Sequence, residues 1–213
     1  MNELRYTLVS DGSFDVALLP ILDWLLVQNG VDYAIQSNWA DLRRLVLPAK
    51  TLSEKIRTSM DLYPCEILFI HRDAEREARE TRVNEIKNAI REIGNDNPFP
   101  YICVVPVRMT EAWLLFDARA IKHAAGNRHG RQRLNLPRLS ELEGAANPKQ
   151  ILFELLQRSS RLSGRRLKRF PVRYHASRVS YLISDFSPLR DLSAFRSLES
   201  ELRTLIRTSG WHN

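Results

Sequence analysis

Short apolar runs alternate with longer segments of helical periodicity along the first half of the chain. The apolar runs are short enough for buried strands, and the segments between them repeat apolar residues at the spacing of one helix face. The predicted strands span residues 4–10, 31–36, 67–70 and 101–107. The predicted helices span residues 16–26, 52–62 and about 75–93, and a further helix is predicted to begin at 111–116. Strands that alternate with helices predict an α/β protein with a mainly parallel, Rossmann-like sheet flanked by helices.

The pattern changes after residue 123. Residues 124–137 are rich in loop-forming residues, a helix is predicted to begin at Asn147-Pro148, and an amphipathic helix is predicted after Ser187-Pro188. We therefore expect an α/β core over residues 1–123 and a basic, mostly helical extension over residues 124–213 that packs on the core.

Charge is divided unevenly between the two halves of the chain. Residues 1–110 carry 13 Lys/Arg and 16 Asp/Glu, a net of −3, whereas residues 111–213 carry 19 and 9, a net of +10. An acidic half suits a cation, and a basic half suits a polyanion such as nucleic acid. No apolar run approaches the ~20 residues that span a bilayer, and no signal-peptide pattern opens the sequence, so we expect a cytoplasmic protein without a membrane partner. The two cysteines, Cys65 and Cys103, lack zinc-site spacing and are predicted to be structural.

Acidic residues follow three of the predicted strands. They are Asp11 after the first strand, Asp73 and Glu75 after the third, and Glu111 after the fourth. The carboxyl ends of parallel strands meet at one edge of a sheet, which is where open α/β sheets place their sites. In an extended segment Asp73 and Glu75 would point the same way, and oxygen ligands of this kind suit Mg²⁺ or Mn²⁺. The alternative is that Asp73 caps the following helix and Glu75 is a solvated acid of its first turn.

Two motifs around these acids resemble the Toprim fold, the metal-binding module of topoisomerases, bacterial primases and several nucleases. They are Val9-Ser-Asp-Gly12 and Phe69-Ile-His-Arg-Asp-Ala-Glu75. The segment from Val105 to Asp117, which contains Glu111-Ala-Trp113, is similar to a small bacterial family of standalone Toprim-like proteins. Members of that family are often encoded beside an ABC-type or SMC-like ATPase in phage-defence loci.

The resemblance implies a Toprim-like core, a metal-dependent nuclease activity and an ATPase partner. It implies metal ligation by Asp11, Asp73 and Glu75, with Glu111 as a fourth catalytic residue. The chain has Asp at the first position, where Toprim proteins typically have Glu, and Glu at the end of the acidic pair, where they have Asp. A catalytically inactive partner-binding or regulatory subunit is therefore the alternative. A phosphoaspartate receiver-like domain is disfavoured, because no Lys ends the strand at 101–107.

Basic residues supply the candidate nucleic-acid contacts. Arg72 adjoins the acidic pair and could hold a substrate phosphate, and His71 beside it could shuttle a proton. The other candidates are Arg128 in a basic loop and, in the basic segment 158–178, Arg165, Arg166, Lys168, Arg169 and Arg173. Arginine suits bidentate phosphate contact and the nearby aromatics suit stacking on unpaired bases. A docking surface for an acidic protein is the competing interpretation of the same segment.

Overall fold

The computed structural model describes residues 3–46, 49–94 and 99–211, and within them the centre of the fold is a parallel four-stranded sheet. The strands are β1 (Glu3–Val9), β2 (Ala34–Trp39), β3 (Ile67–His71) and β4 (Tyr101–Val104). Their order is β2-β1-β3-β4, and each neighbouring pair is parallel. The predicted α/β class with a parallel sheet flanked by helices is confirmed.

Helices connect the strands and make up most of the chain after β4. The α-helices are α1 (Leu19–Gln28), α2 (Leu52–Leu62), α3 (Arg79–Ile93), α4 (Ala118–Ala124), α5 (Leu139–Leu142), α6 (Pro148–Ser160), α7 (Gly164–Lys168), α8 (Val172–Ser177) and α9 (Ser193–Ser209). Short 3-10 helices span Asp15–Leu18, Leu42–Arg44, Thr110–Leu114, Ser180–Leu182 and Ser187–Asp191. Among the described helices, none has the length and apolar character that crossing a bilayer requires.

Local sequence explains several of these boundaries. Thr51 and Glu54 form a reciprocal capping box that starts α2 at the predicted residue. Gly94 ends α3 with φ +73°, a left-handed conformation that glycine adopts without steric cost. The predicted breaker at 94–98 otherwise lies outside the described residues.

Several predicted elements differ from the structure. β4 ends at Val104 rather than at residue 107, and α1 begins at Leu19 rather than at residue 16. β2 begins at Ala34 rather than at residue 31 and extends to Trp39, past the predicted end at residue 36. α3 begins at Arg79 because Glu75 has φ +55°, which a right-handed helix cannot contain. The predicted helix start at Glu111 is a 3-10 helix that ends at Leu114.

The two faces of the sheet carry separate apolar cores. On one face, Tyr6, Leu8 and Phe69 share a core with α1 and with C-terminal residues that include Leu152 and Phe195. On the other face, residues such as Ile70, Ile86 and Cys103 form a smaller core with α2 and α3. The larger of the two cores therefore contains residues of both 3–123 and 124–211.

The strand order creates a crevice at the centre of the sheet. The chain runs from β1 outward to β2 on one side, then crosses to β3 and continues to β4 on the other side. The order therefore reverses between β1 and β3. In open α/β sheets ligands bind at this switch point, outside the carboxyl ends of the strands.

Candidate functional site

A cleft of about 680 Å³ lies at the carboxyl ends of β1 and β3. All four predicted acids line it: Asp11 follows β1, Asp73 and Glu75 follow β3, and Glu111 follows β4. The structure therefore brings acids from three strand ends to one site. The cleft is also lined by His71, by the neighbouring acid Asp15, and by the cations Arg72, Arg82, Lys149 and Arg173.

His71 is the buried centre of the cleft floor. Its side chain is only 3% exposed, and it is held between two carboxylates. Nδ1 lies 3.3 Å from Asp15 Oδ2, and Nε2 lies 3.2 Å from Asp73 Oδ1. Thr110 Oγ1 lies 3.0 Å from Nε2 and completes the surroundings of the ring.

These carboxylates control the charge of His71. Burial lowers the pKa of the imidazole, but Asp15 and Asp73 outweigh burial and raise the pKa to about 10. Burial likewise raises the pKa of Asp15, and His71 together with the Gly12 N–H reverses this effect and leaves the pKa below its ordinary value. At neutral pH the cleft floor is therefore an imidazolium between two carboxylates. A group that stays protonated in this way holds its neighbours in place and does not act as a general base near pH 7.

Asp73 is fixed by the segment after β4. Its Oδ1 accepts hydrogen bonds from the backbone N–H of Thr110 at 2.9 Å and from the Thr110 hydroxyl at 3.3 Å. Since α3 begins at Arg79, Asp73 is not its cap, and the helix-capping alternative for Asp73 is wrong. The carboxylate instead joins the ends of β3 and β4.

Glu75 lies on the rim of the cleft. Its side chain is 64% exposed and its carboxylate is 3.7 Å from Arg82 Nη2. Its N–H donates to the carbonyl of Arg108 at 2.8 Å, and both residues have positive φ, +55° and +67°. Asp73 and Glu75 were expected to point the same way because the segment was expected to be extended. The left-handed backbone at Glu75 breaks that extended geometry. Backbone strain of this kind clusters at functional sites.

Asp11 is neutralised by two cations. Its Oδ1 pairs with Lys55 of α2, and its Oδ2 accepts from Arg72 Nη1 at 2.9 Å. Arg72 also pairs with Glu85 at 3.3 Å. Both oxygens of Asp11 are therefore engaged, and Arg72 is held across the mouth of the crevice.

Glu111 is the most deeply buried of the four predicted acids. Its side chain is 2% exposed, and its one ionic partner among the described residues is Lys149 of α6, 3.3 Å from Oε1. Burial raises the pKa of Glu111, and the nearby Asp73 charge adds to the effect, while Lys149 opposes it. Oε1 is buried and has no hydrogen-bond donor in ideal geometry within the described part of the chain. A buried carboxylate oxygen of this kind is costly unless something binds it.

Trp113 fixes the 3-10 helix that carries Glu111. Its ring is fully buried and packs edge to face on Phe195 of α9, with ring centroids 5.4 Å apart. Trp113 is therefore a core residue. α9 thus supports the turn that holds Glu111 in the cleft.

The acids fit a divalent cation only in part. Across residues 3–46, 49–94 and 99–211, no group of three or more His, Cys, Asp or Glu side chains is arranged to hold a metal ion. Asp73 and Glu111 are close enough for the Asp73 charge to raise the pKa of Glu111, and the ionic partner of Glu111 among the described residues is the partly exposed Lys149. Mg²⁺ is commonly bound by one or two carboxylates together with water and substrate phosphate. A cation bound by these two residues would replace one ammonium, that of Lys149, whereas at Asp11 it would have to replace both Lys55 and Arg72.

The predicted basic residues divide among three places. Arg72 and Arg173 line the cleft. Arg128 lines a second cavity, next to α4. The remaining residues lie exposed on or beside α7 and line neither cavity: Arg165, Arg166, Lys168 and Arg169.

Several cleft residues were missing from the predicted site. His71 was considered only as a proton shuttle, and Asp15 could have been found because it stands four residues after Asp11 and can ligate or ionise. Arg82 and Lys149 gave no such indication, since only the folded chain brings them to the cleft. Lys149 comes from α6, in the segment predicted as an extension that packs on the core.

Comparison of the chain with protein-family models, with curated proteins and with solved structures finds no match.

Proposed function

We propose that the protein is a metal-dependent phosphodiester hydrolase, a nuclease of the Toprim type that acts on nucleic acid in the cleft between β1 and β3. The observation that carries the proposal is the convergence of Asp11, Asp73 and Glu111, from three strand ends, in one cleft that arginines also line. Metal-assisted phosphodiester hydrolysis needs acids that hold Mg²⁺ or Mn²⁺ and cations that hold phosphate. The cleft contains both.

The acids and the histidine of the cleft have different proposed roles. Asp73 and Glu111 would hold the divalent cation, which when bound stabilises charge on the phosphoryl group and acidifies a coordinated water. The imidazolium of His71 fixes the orientation of Asp73 through the 3.2 Å contact to Oδ1. Glu75, on the rim and 64% exposed, would approach the same ion or a water by moving away from Arg82.

The cations of the cleft would position the substrate. Arg72 forms ion pairs with Asp11 and Glu85, so its guanidinium is held in place before the substrate binds. Arg82 and Arg173 line other parts of the cleft wall. Arginine binds phosphate through two parallel hydrogen bonds, and contacts of this kind make nucleic-acid binding weaken steeply as salt rises.

The test is metal binding together with cleavage. Mn²⁺ and Mg²⁺ are titrated into wild type by calorimetry, and single- and double-stranded DNA and RNA are incubated with each metal. Glu111→Gln and Asp73→Asn should lose both metal binding and cleavage. Glu92→Gln is the matched control, because Glu92 is exposed on α3 and does not line the cleft.

A catalytically inactive partner-binding subunit is the second candidate. The observation that favours it is the pairing of both Asp11 oxygens, by Lys55 and by Arg72, which occupies the acid that the resemblance assigns to the metal. Absence of metal binding and of cleavage, in a protein that is folded and binds a partner, would favour this candidate over the nuclease.

The resemblance extends the proposal to a partner and a setting. It points to an ABC- or SMC-type ATPase partner, a role in phage defence and a cytoplasmic location. Cleavage that increases when such an ATPase and ATP are added would support the partnership. Cleavage that is unchanged by the ATPase would leave the nuclease proposal intact and remove the partner from it.

A further inference from the structure

We propose that a second cavity, next to α4, binds a compact polyphosphate anion, such as the triphosphate group of a nucleotide or inorganic tripolyphosphate. The cavity has a volume of about 500 Å³ and is formed by α4, the loop after it and Leu182. It is separate from the cleft at the sheet edge, because none of the described residues lines both.

The wall of this cavity is cationic. Arg119, Lys122 and His123 lie on one face of α4, since residues three and four apart on a helix are neighbours. Arg128 and His129 reach the cavity from the loop after the helix. No carboxylate is among the described residues that line the cavity.

These cations have no counter-charge within the described part of the chain, unlike Arg72 and Lys149 of the cleft. In the cleft, Arg72 pairs with Asp11 and Lys149 pairs with Glu111. The side chains of Arg119, Lys122 and Arg128 form no ion pair or hydrogen bond with any described residue. Like charges held together around a concave surface repel one another, and a multivalent anion relieves that repulsion.

The loop that carries Arg128 and His129 is fixed before any ligand arrives. Asn127 Nδ2 and Gln132 Nε2 both donate to the carbonyl of Ser159, at 2.8 and 3.2 Å, and so tie the two ends of the loop to α6. Gly130 packs closely inside the loop: a Cβ there would lie 2.6 Å from Asn127 Nδ2 and 2.9 Å from Gln132 Oε1. The fold therefore fixes the positions of Arg128 and His129 before a ligand binds.

The shape of the cavity favours a compact anion over a nucleic-acid strand. Its volume of about 500 Å³ lies in the range of small-ligand pockets. A strand would need a continuous basic groove along its backbone, and the exposed arginines around α7 suit that role better than a concave pocket does. Two arginines that can each form two parallel hydrogen bonds to phosphate, together with a lysine, suit several phosphate groups in a small volume.

The test is calorimetric titration of inorganic tripolyphosphate into the full chain at low salt, with chelator present so that the metal site plays no part. Wild type should show saturable binding at one site. Lys122→Ala and Arg128→Ala should each weaken it by about tenfold, because each removes a charge-assisted contact to phosphate. Arg196→Ala is the matched control, since Arg196 is an exposed arginine on α9 that does not line the cavity. It should leave the affinity unchanged.

A second variant tests whether anion binding depends on the conformation of the loop at 127–132. Gly130→Ala removes no charge but forces Asn127 and Gln132 to move, so it should weaken tripolyphosphate binding while circular dichroism shows the wild-type fold. Equal weakening by Arg196→Ala and Arg128→Ala would show nonspecific attraction to a basic protein, and it would overturn the proposal. So would binding of a single-stranded oligonucleotide, but not of tripolyphosphate or ATP, that depends on Arg128.

The polyphosphate site is independent of the nuclease proposal. Asp73→Asn, which should abolish metal binding, should bind tripolyphosphate as wild type does. Loss of tripolyphosphate binding in Asp73→Asn would place the anion in the cleft and not beside α4.

Discussion

The imidazole of His71 lies 3.3 Å from the carboxylate of Asp15, and this contact joins the end of β3 to the 3-10 helix that follows β1. β1 and β3 are the strands on either side of the switch point. The two walls of the crevice are thus held together by a buried ion pair. Buried pairs of this kind hold a geometry but are costly when one partner is removed.

We predict that Asp15→Asn lowers the pKa of His71 from about 10. The substitution removes one of the two carboxylates that stabilise the imidazolium. It should also lower the free energy of unfolding by about 3 kcal/mol, the usual cost of breaking a buried pair. An NMR titration of the His71 ring protons measures the pKa, and urea unfolding measures the stability. An unchanged pKa would show that Asp73 alone sets the charge of His71.

We predict that the stabilisation due to His71 is lost at alkaline pH. The folded-state pKa of about 10 lies above the value near 6.5 of an unfolded histidine. The contribution is therefore complete below pH 6.5 and declines between pH 6.5 and about 10, by at most about 1.4 kcal/mol per pH unit. The measurement is the difference in the free energy of unfolding between wild type and His71→Gln over this range. A difference that does not change with pH would contradict the protonated state described for the cleft floor.

We predict that Glu111→Gln is at least as stable as wild type at neutral pH but loses metal binding. Burial raises the pKa of Glu111, so the ionised carboxylate costs stability as the pH rises past its ordinary value. Glutamine has the same shape without the charge, so the substitution should raise the free energy of unfolding at pH 7. Lys149 is 44% exposed, so its ammonium stays hydrated when the partner is lost. Thermal unfolding at pH 5 and pH 7 measures the gain, which should be smaller at pH 5. A loss of stability at pH 7 would show that the ion pair with Lys149 outweighs the cost of burial.

We predict that Phe195→Ala weakens metal binding from a distance. Removing the ring leaves a cavity against Trp113, at a cost of about 4 kcal/mol, and frees the 3-10 helix that carries Glu111. Ile86→Ala is the control, because it opens a cavity of similar kind in the core on the opposite face of the sheet, at about 3 kcal/mol. Calorimetric Mn²⁺ affinity should fall in the first variant and not in the second. Equal affinity in both would show that Trp113 and Phe195 contribute to stability alone.

The sequence predicts those elements whose causes are local. α2 spans the predicted residues because Thr51 and Glu54 form its cap from within the same turn. β3 appears where predicted because the apolar run from Ile67 to Ile70 is fully buried on both faces. The start of α3 was placed too early because the left-handed turn at Glu75 is held by the carbonyl of Arg108, a partner that periodicity does not reveal.

For the candidate site, the sequence predicts the positions of the acids but not their ionic partners. The strand-end rule places Asp11, Asp73 and Glu111 at one edge because all three positions follow from the order of elements along the chain. It does not say which acids are already paired. That Lys55 engages Asp11 depends on how α2 packs beside β1, and that Lys149 engages Glu111 depends on how α6 packs on the segment after β4.

The contact between Trp113 and Phe195 has a consequence for synthesis. Phe195 lies in α9, the last described helix, whereas Asp11 and Asp73 emerge from the ribosome long before it. A nascent chain that lacks α9 lacks the packing that holds Glu111 in place. Whatever chemistry the cleft performs therefore depends on the docking of α9.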